Sequence, residues 1–345
     1  MITVILIVFV LGYAAIALEH VIRLNKAASA LITGVLCWTI YMLYSGDHHQ
    51  VNEQLTTHLG EIAGILFFLL GAMTIVELID AHDGFEVITS RITTTKKIHL
   101  LWLIGGLSFF LSALLDNLTA TIVIVSLIRK LIRNKPARLL FCGMAVIASN
   151  AGGAWSPIGD VTTTMLWIGG QISSTKIISN VFLPGLACAA VPMLIMSFRM
   201  RGMLAVGGTE EAKTVKPEAP VRARNIIFIS GILILVLVPV FKALTHLPPF
   251  MGMLMGLGIM WAITEMLHHQ KDTQDKHILS VLYALRKIDT PSILFFLGIL
   301  ISVASLQSIG ALMNVAQQLD EKVGNPAVIV VIIGVLSAIV DNVPL

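Results

Sequence analysis

Apolar residues in this chain gather into long uninterrupted runs, and these predict membrane-spanning helices near 2–18, 28–45, 61–80, 177–198, 225–243, 247–267 and 291–310. Runs of about 17–25 apolar residues match the hydrocarbon thickness of a bilayer. The first run has no basic segment before it and no small-residue cleavage site after it, so it reads as a span and not as a signal peptide. Two further apolar regions are interrupted. Residues 99–132 carry Asp116-Asn117 at their middle, and residues 137–170 carry a polar, glycine-rich stretch from Ser149 to Asp160. The longest polar stretch, residues 201–224, is rich in Glu, Lys and Pro and reads as an exposed linker.

The basic residues orient these spans. Suppose that 99–132 is a re-entrant hairpin, entering and leaving on one side, while 137–170 crosses once. Then all of the 23 lysines and arginines except Lys176, Lys242 and Lys322 share one face. By the positive-inside rule that face is cytoplasmic, the linker 201–224 is cytoplasmic and the N-terminus is outside. If 99–132 crossed fully, every downstream segment would invert and the bias would collapse. The expected setting is the cytoplasmic (inner) membrane of a bacterium.

The chain also echoes itself. Leu111-Ser112-Ala113-Leu114-Leu115-Asp116-Asn117 recurs as Leu336-Ser337-Ala338-Ile339-Val340-Asp341-Asn342, and Ile65-Leu66-Phe67-Phe68-Leu69 recurs as Ile293-Leu294-Phe295-Phe296-Leu297. Two echoes in the same order argue for a duplicated unit. The first Asp-Asn segment enters from the cytoplasm and the second from outside, so residues 1–200 and 225–345 are expected to form inverted repeats, a common plan of secondary transporters. The second repeat reads as incomplete. The chain stops at Leu345, just past Asn342, and is read as lacking its C-terminal part.

Composition agrees with the runs: 56% of residues are hydrophobic and 12% charged, where a soluble domain carries about 25% charged. The fold class is therefore all-α and polytopic. Cys37, Cys142 and Cys188 lie in apolar runs without metal-ligand spacing and read as small core residues. A net charge of +3 gives no reason to invoke nucleic acid.

Asp116, Asp160 and Asp341 are the carboxylates that fall well inside membrane-depth segments. Each costs about 2.5–3.5 kcal/mol there even on lenient scales, and the same segments offer no Lys or Arg at depth. A cation from solution is the natural partner. Ser112, Asn117, Thr119 and Thr121 surround the first acid. Ser149, Asn150, Ser156, Thr162, Thr163 and Thr164 surround the second, in a stretch whose three glycines and Pro157 break a helix. Unwound backbone at this depth is tolerated where it lines a cavity or is packed in protein, and its oxygens suit a small hard cation. Glu61, Glu77, Asp80, Glu265 and Asp289 fall near span ends and read first as interfacial residues. Trp155 and Trp167 read as packing or interfacial anchors, His48-His49 as an outside loop and His268-His269 as cytoplasmic-face residues; His58, just before the third span, is the histidine to test for pH sensing.

The stretch Ser-Asn-Ala-Gly-Gly-Ala-Trp-Ser-Pro-Ile-Gly-Asp-Val-Thr-Thr-Thr (149–164), with Asp-Asn-Leu-Thr (116–119) and Asp-Asn-Val-Pro-Leu (341–345), resembles the NhaD-type sodium/proton antiporters of the ion transporter superfamily. That superfamily also holds arsenite and dicarboxylate carriers. The resemblance implies two inverted repeats, each with a re-entrant hairpin and an interrupted helix, assembled as a homodimer. It maps the family's functional positions onto Ser112, Asp116, Asn117, Asn150, Asp160, Thr162, Thr163, Ser337, Asp341 and Asn342.

The expected activity is exchange of cytoplasmic Na+ or Li+ for external H+, with proton and cation competing for the same carboxylates and access alternating around a midplane site. The expected partners are therefore Na+, Li+, H+ and the lipid bilayer, with no cofactor and no enzymatic reaction. Alternatives are an arsenite- or dicarboxylate-type anion carrier, which would want helix N-termini or basic groups at depth, and a membrane scaffold without transport, which leaves the costly acids unexplained. An aspartyl intramembrane hydrolase is disfavoured by the repeat and by the cation-ligand oxygens.

Overall fold

The computed structural model describes residues 1–89, 92, 94, 96–132, 134–199, 220–268 and 279–339. Its regular elements are α-helices. The first eight are α1 (Ile2–Ala17), α2 (Glu19–Ile22), α3 (Lys26–Tyr44), α4 (His48–Ala81), α5 (Glu86–Thr89), α6 (Lys97–Ser112), α7 (Asn117–Leu131) and α8 (Lys135–Gly153). They are followed by α9 (Val161–Ile168), α10 (Ser174–Arg199), α11 (Val221–Thr245), α12 (Pro249–Leu267), α13 (Val281–Lys287), α14 (Thr290–Ser308), α15 (Ala311–Val323) and α16 (Pro326–Ile339). Six of them, α3, α4, α10, α11, α12 and α14, are long and apolar enough to cross a membrane. The protein is an all-α polytopic membrane protein. α11 begins inside the stretch read as a linker, whose residues 201–219 lie outside the described residues.

Local chemistry starts these helices where the sequence changes character. Asn25 caps α3 by accepting from the Ala27 amide at 2.8 Å, and Asn134 caps α8 at the Ala137 amide, with Pro136 in the first turn. Such caps satisfy amides that have no partner within the helix. Asp289 plays the same part for α14, accepting from the Ser292 amide at 3.2 Å and from the Ser292 hydroxyl.

One expectation needs correction. His48 and His49 open α4 and do not sit in a loop. Polar residues such as Asn52, Gln54 and Thr57 satisfy a helix backbone as well as apolar ones do, so hydropathy saw only the span 61–80 within it. At about 1.5 Å per residue the 34-residue helix is longer than a hydrocarbon core of about 30 Å, and its polar first turns supply the excess.

The chain divides into two compact units, residues 1–69 with 289–345, and residues 70–288. In the first, α3 packs along α14, and α1 lies against α3. Trp38 Nε1 donates to the Ile301 carbonyl at 2.9 Å, within a cluster of Ile5, Cys37, Tyr41, Val51, Ala304 and Leu306. Lipid tails supply no hydrophobic drive between helices, so close packing of small residues has to hold such a seam. Gly298 is that residue here: a methyl placed on it would lie 2.5 Å from the backbone of Ala30 and Leu31. In the second unit α6, α7, α8 and α10 pack on one another, and α11 pairs with α12.

Replacing Gly298 with valine is expected to force α3 and α14 apart at a cost of about 1–3 kcal/mol. Thermal unfolding of the detergent-solubilised protein should shift to lower temperature, and an unchanged midpoint would refute this seam.

Candidate functional site

Two helix breaks meet in the second unit. After α6 ends at Ser112 the chain turns through residues 113–116 and restarts as α7; after α8 ends at Gly153 it turns through 154–160 and restarts as α9. The second break opens later than its glycine content suggests, because α8 continues helically through Gly152 and Gly153. Those glycines are kept for contact: a methyl on Gly153 would lie 2.3 Å from the Gly159 carbonyl oxygen, and one on Gly159 would lie 2.6 Å from that of Ser112. Ser156 then ties the breaks together, its hydroxyl donating to the Ala113 carbonyl at 2.5 Å. This serine, a candidate cation ligand from sequence, is occupied by that tie.

Each restarting helix is capped by an aspartate. Asp116 stands at the N-cap of α7, where Oδ1 accepts from the Thr119 amide at 2.8 Å and Oδ2 from the Thr119 hydroxyl. Asp160 stands at the N-cap of α9 and accepts from the Thr162 amide at 3.1 Å. The N-terminal ends of the two half-helices thus carry the two carboxylates.

Asn117 joins them. Its Nδ2 donates to Asp160 Oδ1 at 2.9 Å and to Asn150 Oδ1 at 3.0 Å, and Asn150 is itself steadied by donating to the Val146 carbonyl at 2.9 Å. The hydroxyl oxygens of Ser112, Ser149 and Thr162 are buried with no hydrogen-bond partner among the described residues. Buried polar atoms are almost always partnered in folded proteins, so three orphans in these two segments mark a place that something else completes. No Lys or Arg occurs between Ile98 and Ile128 or between Leu139 and Trp167. Chemically, the set consists of two carboxylates, the amide oxygens of Asn117 and Asn150 and three hydroxyls, the hard oxygen donors that small cations take. The carboxylates can also accept a proton.

The candidates divide as follows. Ser112, Asp116, Asn117, Thr119, Ser149, Asn150, Asp160 and Thr162 come together around the paired breaks, and Thr163 is buried in the first turn of α9. Asp341 and Asn342, with the side chain of Ser337, lie outside the described residues. Glu61, His58 and Asp289 belong to the first unit. There Glu61 is exposed, 3.6 Å from His58 Nδ1, His58 Nε2 lies 3.1 Å from the Ser308 hydroxyl, and Asp289 serves as the cap of α14. Trp155 packs between Phe109 and Phe182, and Trp167 is buried, so both follow the packing reading. The pairing of Asn117 with Asn150 and Asp160 had no sequence signal, because it depends on how the two breaks dock.

A family model described as CitMHS, citrate transporter, matches residues 2–345. Sodium/proton antiporter 1 of Arabidopsis thaliana is 47% identical, over 98% of this chain and 58% of its own length. Sodium/proton antiporter 2 of the same plant is 44% identical, over 98% of this chain and 80% of its own. The Na(+)/H(+) antiporter NhaD of Vibrio cholerae is 30% identical, over 98% of this chain and 75% of its own. The chain thus spans a little over half the length of the first of these relatives. The chain belongs to the CitMHS citrate-transporter family and, within it, to the NhaD-type sodium/proton antiporters.

Proposed function

We propose that this chain carries the ion site of a secondary transporter that exchanges Na+ or Li+ from the cytoplasm for external H+. The observation that carries the reading is the pair of carboxylates Asp116 and Asp160 at two docked helix breaks, with Asn117, the neighbour of Asp116, donating to Asp160, and with the orphaned hydroxyls of Ser112, Ser149 and Thr162 beside them. A dehydrated Na+ would take oxygens of this set as its inner ligands, and a proton on either carboxylate would remove the charge that holds the ion. Competition for one site couples the two flows. The relatives' names, which speak of sodium/proton antiport, support the same pair of substrates.

The order of elements supports the inverted-repeat reading. In the first half a span with Phe67-Phe68 leads through the short α5 to α6 and the Asp116 break; in the second a span with Phe295-Phe296 leads through α15 to α16, which contains Ser337. On this proposal 99–132 is a re-entrant hairpin, Ser337, Asp341 and Asn342 supply the matching half-site, and the protein works as a homodimer with its N-terminus outside. The basic residues favour a cytoplasmic-type membrane. Plant and bacterial proteins both stand among the relatives, so the bacterial inner membrane is part of the proposal.

A second reading, an anion carrier, has two observations in its favour: the family model's description and the two helix N-termini at membrane depth. Against it, those N-termini are capped by the chain's own carboxylates, which repel an anion.

The test uses everted membrane vesicles from a host without sodium antiporters, carrying the full-length protein and an acid interior reported by a pH-sensitive dye. NaCl or LiCl should collapse the gradient, KCl should not, and Asp116→Asn should abolish the response while the protein remains in the membrane; persisting exchange in that variant would sink the proposal. A response to citrate or arsenite in place of Na+ would move the assignment to the anion carriers. Asn117→Ala leaves Asp160 and Asn150 without their shared donor, at a cost of about 1–3 kcal/mol. The half-saturating Na+ concentration should therefore rise about tenfold, and an unchanged value would remove Asn117 from the site.

A further inference from the structure

Lys176, Lys242 and Lys322 break the charge bias of the chain. The first and last are exposed, whereas Lys242, in the last turn of α11, is half-buried. A lysine near the end of a span ordinarily lays its stem along apolar surface and extends its ammonium to water. This one turns onto α9. Its Nζ donates to the Trp167 carbonyl at 2.5 Å and stands 4.4 Å from the centroid of the Trp167 ring.

The contact falls at one end of the helix that carries Asp160 at the other. α9 has eight residues, about 12 Å of helix, and helices shorter than about 12–15 residues are marginal on their own. Its C-terminal end closes locally: the Gly169 amide donates to the Met165 carbonyl at 2.9 Å, that of Gly170 to Trp167 at 3.2 Å and that of Gln171 to Leu166 at 2.9 Å. Those bonds tie α9 to its own continuation. Lys242 adds a tie from another helix, 75 residues along the chain.

The chemistry of the contact suits a strut. Carbonyls in the last turn of a helix form the negative end of its dipole, and a cation there is stabilising. A hydrogen bond from an ionised donor is about twice as strong as a neutral one. The face of the indole attracts the same charge. Trp167 is 1% exposed, so the ammonium ends on a side chain that packing already holds.

We propose that Lys242 is a positioning residue for the ion site. Its ammonium holds the C-terminal end of α9 to α11, and through that short helix it sets where Asp160 stands when it accepts from Asn117 Nδ2. Lys242 touches no ion itself. A binding constellation has to be held within about 0.5 Å of its productive geometry, and an eight-residue helix released at one end does not hold its N-cap that closely. The proposal rests on the cation-site reading given above.

Lys242→Met keeps the stem, removes the charge and the donors, and tests the proposal in two ways. Hydrogen–deuterium exchange of the full-length protein in lipid nanodiscs should show the amides of 163–168 about fivefold less protected than in the wild type. In the everted vesicles the half-saturating Na+ concentration should rise about fivefold. The rate at saturating Na+ should change little, a split that a mere loss of folded protein does not produce. Unchanged protection of α9 would overturn the strut, and an unchanged half-saturating concentration would overturn its role in the site. Wild-type vesicles silent to Na+ are a separate failure, which sinks the antiport reading and the positioning role with it; a responsive wild type beside an unaltered variant sinks this proposal alone. If the variant does not fold, amine-reactive labelling of the wild-type protein decides. Lys242 should then be modified about tenfold more slowly than the exposed Lys176, and equal rates would overturn the contact.

Discussion

A buried helix break has no water to bond its free amides, and this constraint shapes the described site. A helix interrupted at membrane depth exposes the first amides of the segment that restarts, and each must find an acceptor within the protein. Asp116 and Asp160 supply those acceptors for α7 and α9. The same two carboxylates that make the breaks tolerable are the groups able to attract a cation or a proton. Capping uses one lone pair on an oxygen and leaves others available, so structure and ion chemistry draw on the same atoms without excluding each other.

The balance of charge at the breaks follows from this double duty. Two helix N-termini would by themselves recruit an anion. Each is already matched by a carboxylate, and no lysine or arginine occurs between Ile98 and Ile128 or between Leu139 and Trp167. The surplus is negative, and the oxygens left over, from Ser112, Ser149 and Thr162, are of the kind that complete a hard cation's shell. Backbone proximity makes that convergence possible. Gly153 and Gly159 let the second break close on itself and on the end of α6, and the Ser156 hydroxyl fastens the two turns to each other. A larger residue at either glycine would force these backbone turns apart.

The two compact units show how differently the same composition can be used. In the first, α3 and α14 meet backbone to backbone at Gly298, and polar groups such as Trp38 Nε1 and Asn25 are spent on the scaffold. In the second, small residues admit a polar cluster whose Ser112, Ser149 and Thr162 hydroxyls have no partner among the described residues, where the first unit has a single such hydroxyl, Ser29. An unsatisfied buried hydroxyl costs about 1–3 kcal/mol.

The sequence by itself determined that the chain is helical and membrane-spanning, because apolar runs of bilayer length can satisfy their backbones only as helices. It also determined where two helices break, since Pro157, the neighbouring glycines and the capping aspartates act through local backbone chemistry. It marked Asp116 and Asp160 as costly and therefore purposeful. It failed where the outcome depended on a distant partner. The polar residues 48–60 were legible as not spanning, yet only the continuous helix showed that they extend α4. Ser156 looked like a ligand until the Ala113 carbonyl was found beside it. The Asn117 contact with Asp160 joins positions 43 residues apart; a side chain of ordinary local character acquires its partner from docking. Local propensity and hydropathy are properties of a segment and can be read along the chain, whereas hydrogen-bond partnership is a property of two segments and exists only once they have met.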